Sequence, residues 1–164
     1  MDRLIPVLIA VAVIALLFLL LWLGWRGRLK RQAEIAAPDP VPQSLGDAIL
    51  VVPGSYVATT TEGDWLDRIA VHQLGIRTDA TVEVRPEGLV WRRSGVSDFF
   101  IPVGKLRSVR TESGMAGKFV EKDGLVVVSW RLGKQLVDTG FRTRQAEHRP
   151  ALKQAISELV PEKS

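Results

Sequence analysis

The hydrophobic pattern of this chain begins with one long apolar stretch. Residues 4–25 contain no charged side chain. At about 1.5 Å of rise per residue, such a stretch makes a helix of roughly 33 Å, which is enough to cross a hydrocarbon core of about 30 Å. The pattern therefore predicts a transmembrane helix over residues 4–25, preceded by a short tail at residues 1–3.

A cleaved signal peptide is the alternative for an apolar stretch at this position. Such a peptide has cations ahead of a core of about 7–15 residues and small residues at a cleavage site behind it. Here Arg3 and the free amine, offset by Asp2, precede the core, and residues 24–28 offer no plausible cleavage site. The sequence favours an uncleaved anchor.

Cations follow the apolar stretch at once, at Arg26, Arg28, Lys30 and Arg31. Because cytoplasmic flanks of membrane helices are enriched in lysine and arginine, we expect an inner-membrane protein with its N-terminus outside and the remaining chain in the cytoplasm. The same four side chains are candidates for contact with anionic lipid, each contributing at most about 1 kcal/mol.

A linker is predicted at residues 26–43, basic at first and then rich in proline. Pro38, Pro40 and Pro42 alternate with other residues, which disfavours a regular helix and favours an extended chain. We expect this segment to hold a folded domain, residues 44–164, at a short distance from the membrane.

Short apolar and β-branched stretches dominate the domain and predict antiparallel strands. Pro53, Gly54 and Ser55 interrupt the first stretch, which indicates either a bent strand or a tight connection. Turn residues such as Asp123-Gly124 join the later stretches into two meanders. The predicted strands cover residues 48–52, 56–60, 80–85, 89–93, 97–103, 118–122, 125–132 and 135–141.

The apolar period changes to that of a helix near the C-terminus. The apolar positions there are Leu152, Ala155, Ile156, Leu159 and Val160. Pro150 suits the first turn of such a helix and Pro161 suits its end. We expect an amphipathic helix of about 11–15 residues that covers the open end of the sheets.

Composition narrows the classes of function. The chain is formally +4, but residues 44–164 hold 17 Lys and Arg against 15 Asp and Glu, a balance of only +2. A nucleic-acid-binding domain would need a basic face of its own, so this class is disfavoured. There is no cysteine, which excludes disulfides and thiolate metal sites.

The order of elements and three short motifs carry a resemblance. The motifs lie at residues 65–68, 113–118 and 136–142. Together with the N-terminal anchor, they make the chain resemble the PH-like membrane proteins of actinobacteria. The resemblance implies a mainly β fold, a PH-like sandwich or barrel of about seven antiparallel strands capped by a C-terminal helix. It implies no reaction.

The resemblance invites a search for lipid-binding cations, which PH domains that bind phosphoinositides place around their first hairpin. Residues 51–61, at the corresponding place, contain none. The densest basic group in the domain is Lys105, Arg107 and Arg110. We interpret these three as a solvated strand edge, with contact to anionic lipid as the alternative.

No catalytic or metal-binding motif emerges. His72 and His148 lie far apart and lack the spacing of a metal-binding pair. The glycines at Gly114 and Gly117 do not reproduce a phosphate-binding loop, because Phe119 stands where a magnesium-ligating hydroxyl would be needed. We therefore expect no enzyme, no cofactor and no metal.

One polar segment carries a large aromatic residue. Asp64, Trp65, Asp67 and Arg68 lie between predicted strands. Trp65 is either an exposed anchor for a partner or, as the favoured interpretation, a lid over the core with Asp64 capping a short helical turn. We expect a membrane-anchored module that holds a protein partner, with binding of a lipid or small ligand as the alternative.

Overall fold

The computed structural model of the protein describes residues 3–115 and 117–162. The chain divides into two units, residues 1–34 and residues 35–164. The first unit contains helix α1, Leu4–Gln32. Among the described residues, α1 alone is long and apolar enough to cross a membrane, with a mean hydropathy of 3.3 over its most apolar part.

Helix α1 continues beyond the predicted end of the membrane span at Trp25. Residues 26–32 are mostly arginine, leucine, lysine and glutamine, which are good helix formers. Lys30 and Arg31 lie in the last turn, where positive charge offsets the negative end of the helix dipole. The basic half of the predicted linker is therefore helical and continuous with the predicted span.

The second unit is built mainly from strands. They are β1 (Leu50–Thr61), β2 (Asp64–Arg68), β3 (Thr78–Arg85), β4 (Gly88–Arg93), β5 (Phe99–Pro102), β6 (Leu106–Glu112), β7 (Gly114–Met115), β8 (Lys118–Phe119), β9 (Leu125–Leu132) and β10 (Gln135–Thr143). Helix α2 (His148–Leu159) follows the last strand. Short 3-10 turns occur at Val71–Gln73 and Val103–Lys105.

Eight of the strands in the described part of the chain form one antiparallel sheet. Its order is β5-β4-β3-β1-β10-β9-β6, and β2 pairs with β1 outside this path. Helix α2 contacts the end strand β6 and also β1 and β3 from the middle of the order. Because one short helix reaches both places, the sheet must curve around it.

The interrupted first stretch is a single strand, so the bent-strand alternative is correct. Pro53 is tolerated in the middle of this sheet because of where the β1–β10 ladder ends, at the pair Gly54 and Thr143. The carbonyl of Pro53 accepts a bond of 3.0 Å from the backbone N–H of Arg144, on the β10 side. A proline has no backbone N–H, and at Pro53 the missing group would face the β10 side, beyond the last residue pair of the β1–β10 ladder. No hydrogen bond between strands is therefore lost.

An aromatic core fills the concave side of the sheet. Five rings touch one another at centroid distances of 5.7–6.0 Å, those of Tyr56, Trp91, Phe99, Trp130 and Phe141. Leu152 and Ile156 of α2 close this core and are fully buried. The amphipathic stripe predicted for the last helix therefore packs on the sheet as expected.

A chain of buried hydrogen bonds crosses the core. The hydroxyl of Tyr56 donates to the carbonyl of Leu74 at 2.7 Å, so it must accept from Thr59 at 2.6 Å. The hydroxyl of Thr59 in turn accepts from Thr139 at 2.8 Å, and that of Thr139 accepts from the indole N–H of Trp130 at 2.9 Å. The polar side-chain groups of Tyr56, Thr59, Thr139 and Trp130 are thereby all satisfied, which lets them stand inside the aromatic core.

A second, smaller core lies on the convex face of the sheet. Its buried members are Val57, Ala58, Met115, Leu125 and Val127. The segment 113–124, which we call the arm, covers this face and contains the short β7–β8 hairpin. The prediction of a strand at residues 118–122 pairing with β9 is wrong, because β9 is already paired with β6 and β10 on its two sides.

Part of the predicted linker packs on the domain. Ile35 packs against the core, and the carbonyl of Asp39 accepts a 2.9 Å bond from the backbone N–H of Phe100 on the edge strand β5. The extended geometry that alternating prolines favour suits pairing at a strand edge. The expectation of a free spacer through residue 43 is therefore wrong for residues 35–39.

Candidate functional site

A cleft of about 350 Å³ opens on the convex face of the sheet. The strands β1, β6, β9 and β10 supply its floor, and the arm and β2 supply its walls. Its lining side chains include Thr60, Trp65, Arg110, Met115, Phe119, Val127 and Asp138. We call it the outer-face cleft.

Two aromatic rings form an exposed wall of the outer-face cleft. Trp65 of β2 and Phe119 of β8 meet edge-on at a centroid distance of 5.8 Å. Trp65 is 43% exposed and Phe119 is 76% exposed. Large apolar side chains grouped in this way are typical of interaction surfaces, whereas single exposed ones are ordinary.

Met115 forms the apolar base beside this wall. Its sulfur lies directly over Gly140 of β10, where a side-chain Cβ would come within 2.5 Å of it. Gly140 therefore allows the arm to approach the sheet closely. Val127 of β9 pairs with Gly140 in the sheet and completes the apolar part of the floor.

The polar part of the floor is an ion pair between Arg110 and Asp138. The carboxylate of Asp138 accepts 2.8 Å and 3.4 Å bonds from the guanidinium of Arg110 and a 2.5 Å bond from the hydroxyl of Ser129. Hydrogen bonds from Arg110 to Asp138 raise the pKa of the guanidinium, against the effect of burial and with help from Glu112. Since two carboxylates balance one cation, the floor has no positive charge to spare for an anion.

Thr60 carries an unused polar group at the base of this cleft. It pairs in register with Asp138, so both side chains project from the same convex face. Thr60 is fully buried, and its hydroxyl has no hydrogen-bond partner among the described residues. A buried hydroxyl without a partner costs about 1–3 kcal/mol, so this atom is suited to meet an incoming group.

The polar segment around Trp65 is a strand and not the expected helical turn. Asp64 accepts a 3.2 Å bond from the backbone N–H of Leu66, and Asp67 accepts a 2.7 Å bond from the hydroxyl of Thr61. The guanidinium of Arg68 donates to the carbonyl of Gly75 at 3.4 Å. Trp65 is 43% exposed and its ring meets that of Phe119, so it is not a lid over the core.

The three cations predicted as one basic group have separate partners. Lys105 pairs with Asp39 at 2.9 Å, and Arg107 donates to the carbonyls of Gly104 and Leu106. Arg110 instead reaches the outer-face cleft. The structure thus brings Trp65 and Arg110 into one cleft. The sequence predicts Trp65 in a partner contact or a lid, and Arg110 in a solvated strand edge or a lipid contact. Contact of these cations, or of those on α1, with anionic lipid stays a prediction.

Sequence reasoning missed Thr60, Phe119 and Asp138 as members of this site. Asp138 lies in a strand pattern and pairs with a residue 28 positions away. The register of β6, β9 and β10 brings Arg110 to Asp138, the pairing of β1 with β10 adds Thr60, and Phe119 arrives on the arm. A weak signal was present, since Asp138 is a charged residue among apolar strand neighbours.

Comparison with known proteins gives distant structural similarities. A chain of the structure described as "The 8S snRNP Assembly Intermediate" aligns with a TM-score of 0.48 and 9% identity, covering 79% of this chain and 94% of that one. The C-terminal domain of an unknown protein from Leishmania infantum aligns with a TM-score of 0.42 and 10% identity, covering 81% and 94%. No curated protein matches the chain.

A family assignment comes from the sequence itself. The sequence model of the family described as bacterial PH domain-like matches residues 35–157. This match begins at the first residue of the second structural unit and covers all of the strands and most of α2. The predicted fold class, a mainly β PH-like domain with a C-terminal helix, is confirmed. The chain belongs to the bacterial PH domain-like family.

Proposed function

We propose that this protein is a single-pass inner-membrane protein whose cytoplasmic PH-like domain holds a protein partner at the membrane surface. PH-like domains are generally non-catalytic interaction modules. The helix α1 is long and apolar enough to act as the anchor, and its cations favour a cytoplasmic domain.

The observation that carries the proposal is the exposed aromatic wall of the outer-face cleft. Trp65 and Phe119 offer a large apolar area beside a concave surface, and tryptophan is enriched among the residues that dominate binding energy at interfaces. Trp65 of this wall lies on β2, which pairs only with β1 in the described part of the chain. One edge of β2 is therefore open to a partner.

The negative charge around the aromatic wall further limits which partners can bind there. Glu62, Asp64 and Asp67 lie in and beside β2, and Glu112 lines the cleft. Arg68 and Arg110 offset only part of this negative charge. We therefore expect the partner to present an apolar side chain flanked by basic ones, because complementary charge favours encounter and fixes orientation.

The test is site-specific photo-crosslinking in cells. A photoreactive residue in place of Ser113, which is exposed and lines the outer-face cleft, is expected to capture one partner. The double variant Trp65→Ala with Phe119→Ala is expected to lose that product while unfolding at the same temperature, because both rings are exposed. A photoreactive residue at Ile49, itself 58% exposed, is the control position.

Two results would overturn the proposal. Capture that persists in the double variant would remove the aromatic wall from the interface. Absence of any crosslinked protein from position 113 would contradict the existence of a partner at this cleft.

Thr60 favours a second candidate function, the binding of a small neutral ligand. Its unpartnered hydroxyl lies under a cleft whose volume is at the lower end of the range for ligand pockets. Native mass spectrometry of the full-length protein is expected to show a bound small molecule that Thr60→Val loses. If the wild type and the variant both appear at the mass of the protein without a ligand, the hypothesis of a small neutral ligand is wrong.

A further inference from the structure

A second cavity, of about 420 Å³, lies where β1, β10 and the approach to α2 meet. Arg142 and Arg144 line it, together with Thr143 and Glu121. Arg149, in the first turn of α2, reaches its edge through Glu121. We call Arg142, Arg144 and Arg149 the arginine cluster. None of them belongs to the outer-face cleft.

One carboxylate already occupies the centre of the arginine cluster. The two oxygens of Glu121 are divided between two arginines, with Arg142 donating at 3.0 Å and Arg149 at 3.3 Å. The carboxylate belongs to the arm, which is remote in sequence from β10. Its position shows that the cluster can hold an anion between two guanidinium groups.

The cluster retains unused capacity after it has bound Glu121. The side chain of Arg144 is exposed and has no partner among the described residues; only its backbone N–H is engaged. The Nε atom of Arg149 is buried and also lacks a partner there. Among these four side chains, three cations face one carboxylate, an excess of two positive charges.

The contacts of Glu121 are weak enough to be exchanged. Its side chain is 48% exposed and that of Arg142 is 43% exposed, while the contact with the more buried Arg149 is longer, at 3.3 Å. Exposed ion pairs of this kind contribute about 0–1 kcal/mol, because solvent and salt screen them. A ligand of higher charge can therefore displace the carboxylate at small cost.

We propose that the arginine cluster binds a phosphate monoester, which replaces the Glu121 carboxylate and also engages Arg144. A phosphate monoester carries about −1.5 to −2 charges and three acceptor oxygens, whereas a carboxylate carries one charge and two oxygens. Its charge matches the excess of the cluster, and its third oxygen can meet the third arginine. Both a soluble metabolite and a lipid headgroup present this chemistry.

The experiment uses the full-length protein in nanodiscs. Nanodiscs of phosphatidylcholine are titrated with glycerol 3-phosphate to test the soluble source, and nanodiscs that also contain phosphatidic acid test the lipid source. Binding is read from the rise in the unfolding temperature of the domain. A rise in the first arm assigns a soluble ligand, and a rise in the second arm alone assigns a lipid.

Matched variants separate a specific site from general charge. Arg144→Ala is expected to weaken binding about tenfold, since charge-assisted hydrogen bonds contribute that much. Arg131→Ala removes the same charge from another exposed arginine, on β9, and is expected to have little effect. Both side chains are exposed, so both variants are expected to fold.

Variants of two glutamates test the displacement. Glu121→Gln is expected to tighten binding several-fold, because the competing carboxylate is gone. Glu158→Gln makes the same charge change at another exposed glutamate, near the end of α2, and is expected to leave binding unchanged. Equal effects of Arg144→Ala and Arg131→Ala, no tightening by Glu121→Gln, or no rise in either arm would each overturn the proposal.

Discussion

At the scale of single residues, two kinds of constraint hold this domain in shape, close backbone approach and paired charge. Gly54 and Gly140 let neighbouring groups lie where a side chain would otherwise stand. Glu83 and Asp138 are carboxylates whose oxygens are engaged by arginine. These constraints act on different parts of the sheet and can be tested one residue at a time.

Replacing Gly54 with alanine is expected to destabilise the domain strongly. The new Cβ would lie 2.1 Å from the carbonyl oxygen of Arg142 and 2.7 Å from the ring of Phe141. Relieving this overlap requires movement of β10, with a loss of about 3 kcal/mol in the free energy of unfolding. Urea unfolding of the full-length protein in detergent measures it.

Gly104→Ala is the control for this variant. A Cβ at Gly104 meets nothing within 4 Å, so a change within about 0.5 kcal/mol is expected. Equal stability of the two variants would contradict the close approach of β1 and β10.

The stability of the domain is expected to depend on the ionisation of Glu83. Burial disfavours its charged form, but hydrogen bonds from Arg85 and Arg92 outweigh burial and hold the pKa of Glu83 below its ordinary value of 4.5. Because the pKa of Glu83 is lower in the folded than in the unfolded state, the charged carboxylate stabilises the fold fully at pH values above its ordinary pKa. The contribution is lost as pH falls through the folded-state pKa.

We therefore expect Glu83→Gln to be less stable than the wild type at neutral pH by about 1 kcal/mol. The difference is expected to shrink in acid, below the ordinary pKa of the carboxyl. Urea unfolding of both proteins across this range measures it. A difference that is the same in acid as at neutral pH would argue against a role for this ion pair.

At the scale of elements, the second unit depends on α2 to close the curved sheet. Leu152 and Ile156 are fully buried in the aromatic core, while Lys153 on the other side of the helix is exposed. The contribution of α2 to the stability of the second unit therefore comes from one narrow apolar stripe of the helix. Helix propensity contributes little to a helix of twelve residues without such packing.

Ile156→Ala is expected to lower the free energy of unfolding by about 3 kcal/mol, through lost burial and the cavity that remains. Lys153→Ala, at an exposed position of the same helix, is expected to change it by less than about 0.5 kcal/mol. Thermal unfolding of both variants provides the comparison. If both variants unfolded like the wild type, α2 would not be part of the cooperative unit.

The elements were more predictable from sequence than the sites. Strand β3 and the last helix follow from alternation and period, because one face of each is buried. Strands β4 and β9 follow instead from continuous apolar stretches, because both of their faces are largely buried. The β7–β8 hairpin and β2 do not follow, since their short polar stretches have no period to detect. Those two elements carry the aromatic wall, so the candidate site remained hidden.

The arginine cluster shows the same limit in another form. Arg142 and Arg144 are two positions apart, which places them on one side of an extended chain. This part of the cluster can be predicted from the sequence. Arg149 arrives through the turn before α2, and Glu121 arrives on the arm. Such meetings depend on tertiary packing, which no local pattern encodes.

At the scale of the whole molecule, the proposed function requires one particular orientation in the membrane. The cations Arg26, Arg28, Lys30 and Arg31 favour a cytoplasmic second unit. Since the chain has no cysteine, single cysteines can report each side of the membrane without background.

We expect a cysteine added after Met1 to react with a membrane-impermeant maleimide in spheroplasts. A cysteine at Ser44, an exposed position, is expected to react only after the membrane is permeabilised. Gel-shift labelling of the two variants measures this. The reverse pattern would place the domain outside and would contradict the proposed partner site in the cytoplasm.

The arm joins the two surfaces discussed above. Phe119 stands in the aromatic wall, Glu121 stands in the arginine cluster, and Val120 between them is fixed by a 2.9 Å backbone bond to Ser113. If both surfaces bind as proposed, a ligand that displaces Glu121 also changes the free energy of placing Phe119. Thermodynamic linkage then requires each ligand to alter the affinity of the other by the same factor. A membrane-bound adaptor built in this way would report the local supply of phosphate esters through the strength with which it retains its partner.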